Sequence, residues 1–478
     1  MIKGLKPYEF FKWFNEICKI PHGSKNEKAL ADFLVDFAKK RSFECSVDQK
    51  GNVFMKVPPS KGYENEKPIL FQAHIDMVCV KDDGCNFDFN KDAIKLKITG
   101  NKLHADGTSL GADNGVGVAT MLAIADSEEV LHPPLEFLFT VEEEIGMLGI
   151  RAFDISKITA RRMINMDCGD SHVIAISSMG KRNCFITKKF NTFEVEKNYH
   201  ALTVELGGGK GGHSGLMIRE GRACAGNNLG KLLTSIASMP VRLCSFQTHG
   251  VAILKGATAV IAFPSELLEE VKKKLNDCFN DIKSNYSVTD PDLTLDLSET
   301  KLPKFALGEQ DTVRVVNLLR LIKTAPYKVD EKDSSILITL GVLLKAVLID
   351  KELVLEFHIR STNDDDCEQV FNGFLKQTNE LDFEIQIGDS YSGWKEVSKS
   401  PFREKFICTH KEVFGYAPEL ERVSGGIETG IITAQIPDMD AVGIAPTARG
   451  AHTTDEHILL NETEDYWKWL ITVLAKKD

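Results

Sequence analysis

His74 and Asp76 stand two residues apart at the end of the apolar run "ILFQA", and on an extended backbone such side chains face the same way. Farther along, "LEFLFTV" ends in three consecutive carboxylates, Glu142, Glu143 and Glu144, while "RRMIN" is soon followed by Asp167 and "DAVGIAPTARGA" by His452. Asp113 opens the glycine-rich turn "GADNG". Adjacent like charges repel, and a carboxylate withdrawn from water gains a proton unless a cation compensates. Taken singly, each feature has a plain structural explanation. A histidine near a strand end is usually satisfied by its neighbours, "EEE" is usually a wet loop, and "GADNG" is a turn and helix cap. Together, two imidazoles and several carboxylates at one sheet edge make a ligand set for a pair of borderline divalent ions, Zn²⁺ above all, because nitrogen ligands disfavour Mg²⁺ and Ca²⁺. Three ligand carboxylates and a bridging hydroxide would carry about −4, which two dications cancel. In that arrangement Glu144 binds metal and Glu143 holds the proton of the metal's water. Glu142, pointing the other way along an extended backbone, reads as a solvated or structural carboxylate.

The elements that must position these groups are short apolar runs ending abruptly in polar residues, "KPILFQAHID", "PPLEFLFTVEEE" and "RRMINMDCGD", as parallel strands covered on both faces do. Between them "DNGVGVATMLAIADSEEV" reads as a long helix, and strands separated by helices argue for an α/β sheet. Ligands bind such sheets beyond the carboxyl ends of the strands, where the candidate residues stand. From about Asn183 the texture changes to alternating apolar and polar residues, typical of a half-exposed antiparallel sheet. Two rounds of similar element order follow and suggest a duplicated α+β unit, without a residue-level repeat. Beyond Ser390 the α/β texture returns. The expected organisation is a discontinuous catalytic domain, 1–182 and 390–478, with 183–389 inserted as a second domain.

A chain of 478 residues with 43% hydrophobic content can bury two cores. Its net charge of −11 argues against nucleic-acid and acidic-membrane partners. The N-terminus lacks the uninterrupted apolar core of a signal peptide, and "ILITLGVLLKAVLI" is too short to span a bilayer and carries Lys345. Eleven cysteines without paired spacing read as reduced thiols, so the expected compartment is the cytoplasm. Two further glycine patterns carry nothing: "GADNGVG" lacks dinucleotide-fingerprint spacing, and "GGGKGGHSG" has no Ser or Thr directly after its Lys.

"FQAHIDMV", "TSLGADNGVGVA", "FTVEEEIGMLG", "INMDCGD" and "APTARGAHTTDEH", in this order, resemble the M20 metallopeptidase family, most closely its cytosolic aminoacyl-histidine dipeptidase branch. The resemblance implies a zinc-peptidase-like catalytic domain with a mixed, largely parallel sheet flanked by helices, plus an inserted α+β lid or dimerisation domain. It implies two divalent ions per chain, Zn or alternatively Mn or Co, bridged by Asp113. His74 and Asp167 complete one ion's shell, Glu144 and His452 the other's. Asp76 would hydrogen-bond the ring of His74 and fix its tautomer, and Glu143 would be the general base. His213, in "GGHSG", matches the histidine that such enzymes bring to the developing oxyanion, Arg360 in "HIRST" a holder of the substrate's terminal carboxylate. Glu428 is a candidate anchor for a substrate amino group.

The implied reaction is hydrolysis of unblocked dipeptides, Xaa-His or broader, by metal-activated hydroxide at the peptide carbonyl, with domain closure excluding water. The chain departs from the branch at "CAGN" (Cys224 to Asn227), at "VIAFP" (Val260 to Pro264) and at Ser424 in "SGGIETG", all outside the implied metal shell, so the substrate is less fixed than the core. Alternatives are an aminoacylase or other N-acyl amino acid amidohydrolase, and a non-catalytic metal-binding scaffold, against which Glu143 and Asp76 weigh. A small peptide substrate is the expected partner, and the chain is expected to be a monomer or a homodimer.

Overall fold

The apolar runs Leu135–Thr140, Ile69–His74 and Arg162–Asn165 lie side by side as parallel strands, and every residue of the first two is buried. A strand covered on both faces cannot alternate polar and apolar residues, which is why these segments read as continuous runs. The computed structural model describes residues 4–212 and 217–477, and divides into two compact units, Met1–Ser178 with Trp394–Asp478, and Met179–Gly393.

In the first unit an eight-stranded mixed sheet runs Glu44–Val47, Val53–Val57, Leu135–Thr140, Ile69–His74, Arg162–Asn165, Asp440–Gly443, Val173–Ser178, Glu419–Val423. Its centre is parallel, whereas the first two strands form an antiparallel hairpin closed by the Asp48 carboxylate, which accepts the N–H groups of Lys50, Gly51 and Asn52. Helices Tyr8–Ile17, Ala112–Asp126, Pro401–Phe414 and Leu460–Ala475 bury their apolar faces in the same core. Helix Ala112–Asp126 comes so near the sheet that a Cβ on Gly117 would lie 2.9 Å from that of Ala73 and 2.6 Å from that of Met166, so only glycine fits.

The second unit is built on an antiparallel sheet running Thr294–Glu299, Tyr199–Gly207, Gly256–Pro264, Arg242–His249, Leu337–Ile349, Glu352–Ser361, Gly180–Lys189, Gln386–Tyr391, with Ala325–Val329 added on Leu337–Ile349. Helices Ala225–Ser235, Leu268–Asn285, Glu309–Leu321 and Asp364–Glu380 share its core. In Leu268–Asn285 the buried residues are Val271, Leu275, Phe279 and Ile282, the helical spacing that puts one stripe against the sheet. The run "ILITLGVLLKAVLI" is here a strand, and no helix among the described residues is long and apolar enough to cross a membrane.

Candidate metal centre

Parallel pairing sets His74 level with Thr140, so the residues that follow the two strands, Asp76 and Glu142 to Glu144, emerge together at one end of the sheet. Asp167 leaves the neighbouring strand Arg162–Asn165 at the same end. Asp113 arrives from the start of helix Ala112–Asp126. There Gly111 takes a left-handed φ of 71°, Asp113 itself is non-helical, and the Asp113–Asn114 peptide bond is cis. His452 comes from a turn at φ 64°.

These side chains converge. Nε2 of His74 lies 2.9 Å from Asp113 Oδ1 and 3.2 Å from Asp167 Oδ1; Nε2 of His452 lies 2.9 Å from Glu144 Oε1 and 3.4 Å from Asp113 Oδ2. Three overlapping triads have ligand atoms within 4.8 Å of one another: His74 with Asp113 and Asp167, Asp113 with Glu144 and His452, and His74 with Glu143 and Glu144. The Nδ1–H of His74 donates to the main-chain oxygen of Asp76 at 3.0 Å, which turns Nε2 towards the cluster, where it would be the ligand atom once deprotonated.

The Asp76 carboxylate lies 3.4 Å from Nδ1 of the same ring and also ties down the turn that follows Thr140. Its oxygens accept the N–H of Glu143 at 2.9 Å, the N–H of Glu144 at 3.2 Å and the hydroxyl of Ser24 at 2.8 Å. The three glutamates therefore do not continue an extended strand. Glu142 has a left-handed φ of 52°, and the chain folds back through bonds from Leu148 N–H to Glu142 O and from Gly149 N–H to Val141 O. Glu142 turns away to pair with Lys50 at 2.7 Å, a structural role, while Glu143 and Glu144 face the cluster.

The electrostatics are those of a site short of positive charge. Burial opposes a charge on His74, yet Asp167 and Asp113 hold its ring protonated well above the usual imidazole range. His452 is pushed up to about 10 by its bonds to Asp113 and Glu144. Burial, reinforced by Asp113, lifts Asp167 to about 7. Burial also raises Glu143 well above the usual carboxylate range, with help from Asp167, Glu428 and Glu144. Protons are filling places that cations would fill, and the donors, imidazole nitrogen and carboxylate oxygen, fit borderline divalent ions.

Beneath the cluster lies a buried polar network that sequence reading missed. Thr140 donates to Oε2 of Glu428 at 2.5 Å, Gln72 donates to the same oxygen, and Asn165 donates to Gln72 Oε1 at 2.6 Å. Glu428 is 1% exposed, its Oε1 has no hydrogen-bond partner among the described residues, and burial pushes its carboxyl up to about 8. The available signal was Gln72, a polar residue inside a run that is otherwise buried and apolar. Glu456, in "TTDEH", was also missed; it accepts main-chain N–H groups at the Asp113 turn.

Two further candidate residues come from the 179–393 stretch of the chain. Arg360 is a buried strand residue of the second unit. Its guanidinium bonds Tyr391, and its Nε has no partner among the described residues. His213 lies outside the described residues. At the "CAGN" departure, Asn227 is structural: its amide donates to Leu319 O at 3.1 Å and Ile322 O at 2.7 Å.

An α/β sheet presenting imidazole and carboxylate triads beyond its parallel strands is the frame of a metal-dependent hydrolase. The model of peptidase family M20/M25/M40 matches residues 70–476, and the chain belongs to that family. It is 30% identical to the cytosol non-specific dipeptidase of Escherichia coli, over 100% of this chain and 99% of that protein. Among solved structures it is similar to the aminoacylhistidine dipeptidase from Vibrio alginolyticus, with TM-score 0.95 and 27% identity over 100% of this chain and 98% of the other. The aminopeptidase PepT from Bacillus cereus shares the fold at TM-score 0.58 and 17% identity, over 98% of each chain.

Proposed function

We propose that the protein is a dizinc dipeptidase that hydrolyses unblocked dipeptides, Xaa-His among them. The observation that carries this reading is the convergence of His74, Asp113, Asp167, Glu144 and His452 beside Glu143, with ligand atoms within 4.8 Å in each triad. His74, Asp113 and Asp167 would hold one ion and Asp113, Glu144 and His452 the other. The family's metal dependence and the dipeptidase relatives named above support the reading, and Mn or Co would suit the same donors.

When bound, the ions supply Lewis acidity, polarising the peptide carbonyl and lowering the pKa of water towards neutrality. The chain's own residues do the rest. Glu143, fixed by its N–H on Asp76, takes the proton of the attacking water and returns it to the leaving amine. Asp76 holds the turn of Glu143 and Glu144, and its main-chain oxygen orients His74. Arg360, a planar guanidinium whose Nε has no partner among the described residues, would take the substrate's terminal carboxylate, and His213 would steady the oxyanion. The burial of Glu428 favours a place beneath the ion sites over contact with a substrate amino group. The inserted unit would serve as the lid, and the eleven free cysteines favour a reducing cytoplasm.

The test offers zinc-loaded protein unblocked dipeptides, tripeptides and N-acetylated amino acids side by side, repeated with Mn and Co. Cleavage of the dipeptides is expected. Cleavage of the acetylated set alone would make the protein an aminoacylase, and no cleavage with any metal would leave a binding scaffold.

A further inference from the structure

Glu456 is a carboxylate 2% exposed that takes no part in the donor set. Its oxygens accept three main-chain N–H groups: Oε2 from Leu110 at 2.6 Å and Gly111 at 2.8 Å, Oε1 from Asp113 at 3.0 Å. The turn that presents Asp113 is thus wrapped around a side chain from the segment that presents His452. The His452 turn is itself closed, with the N–H and hydroxyl of Thr453 both donating to Gly450 O, at 3.2 and 2.7 Å. Immediately after Glu456, strand His457–Leu459 pairs with Lys102–Ala105, so the carboxylate stands on a fixed base. Asp113 Oδ2 and His452 Nε2 lie 3.4 Å apart, and Glu456 connects the two segments that carry them.

We infer that Glu456 is a positioning residue, which sets the Asp113 turn against the His452 turn so that both side chains reach the ions at a preset separation. The inference rests on the dizinc reading. The chemistry requires a carboxylate, because three donors converge on two oxygens and both must accept. A glutamine has the same shape but one acceptor oxygen, so its NH₂ group would face either the N–H of Asp113 or those of Leu110 and Gly111. A cap that merely stabilised the fold would leave the zinc affinity of the folded protein unchanged, whereas a positioning residue controls it.

The test compares wild type and Glu456→Gln in two measurements, hydrogen exchange of the metal-free proteins and zinc titration against a competing chelator. Exchange in peptides covering 108–115 is expected to accelerate about tenfold or more, with peptides from Ile69–His74 and Leu135–Thr140 unchanged. Zinc affinity of the folded variant is expected to fall at least about tenfold. A folded variant with wild-type exchange at 108–115, or with wild-type zinc affinity, overturns the inference. If wild type itself binds no pair of ions, the dizinc reading falls instead, and the exchange result still decides whether the tie exists. Should Glu456→Gln not fold, Glu456→Asp keeps the charge but is shorter by one methylene, and is held to the same two criteria.

Discussion

The N–H of Glu143 donates to Oδ1 of Asp76 at 2.9 Å, so the residue proposed as the base is aimed by the residue proposed to orient His74. The other Asp76 oxygen takes the N–H of Glu144 at 3.2 Å. Asp76→Asn leaves one acceptor oxygen for two partly buried N–H groups and the Ser24 hydroxyl, and should destabilise the metal-free protein by roughly 1–3 kcal/mol. Turnover should fall about tenfold or more, because the proposed base, Glu143, and the proposed ligand, Glu144, are released together. Urea denaturation and steady-state kinetics check the two halves. Unchanged kinetics in a destabilised variant would reduce the contact to a structural one.

Glu143→Gln keeps the size of the side chain and its backbone bond to Asp76 but cannot accept a proton. Turnover should drop by about 10²–10⁴ while the zinc content per chain stays that of wild type. Elemental analysis beside kinetics separates the neighbours: parallel loss of metal would mean that Glu143 is the ligand and Glu144 the base.

Glu428 gives the metal-free protein a predictable pH dependence. Burial pushes its carboxyl up to about 8 in the folded chain, from an ordinary value of about 4.5. A pKa raised by folding means that the native state keeps a proton the unfolded chain gives up. The associated stability is whole below about 4.5 and is lost as pH rises through about 8. Glu428→Gln has no proton to lose there and should flatten that part of the profile. Its amide oxygen can still accept from Thr140 and Gln72. Denaturation midpoints at about pH 5 and about pH 8.5 measure the difference; an equal decline in both proteins would place the titration elsewhere.

The α/β class and the mixed sheet were legible because a doubly covered strand must be a continuous apolar run, and Ile69–His74 and Leu135–Thr140 are such runs. Their polar ends announced which residues meet, since parallel register leaves little freedom at a strand's carboxyl end. The turn after Thr140 was not legible: a left-handed φ at Glu142, a residue with a Cβ, is imposed by the backbone bonds that close the turn. The floor of the site was harder to read: Gln72 stands out as a polar residue inside an apolar run, but its partner Glu428 is 356 residues away, and Glu456 is 346 residues from Leu110, so nothing local shows what these side chains meet.

Arg449 and Asp170 form a forked ion pair, with Nη1 to Oδ1 at 2.9 Å and Nη2 to Oδ2 at 2.6 Å, joining the segment of His452 to that of Asp167. Arg449 is about half exposed, so the pair should add little to global stability, within about 1 kcal/mol on Arg449→Ala. Its effect should appear locally, because His452 is itself half exposed and depends on its turn for orientation. Arg449→Ala should therefore weaken zinc binding severalfold with only a small change in melting temperature. Arg449→Lys should recover only part of that loss, since an ammonium cannot bridge both carboxylate oxygens as a guanidinium does. Chelator competition on the three proteins decides it: equal zinc affinity throughout would show that the strand pairing of Ala448 and Arg449 with His457 and Ile458 suffices to hold the turn.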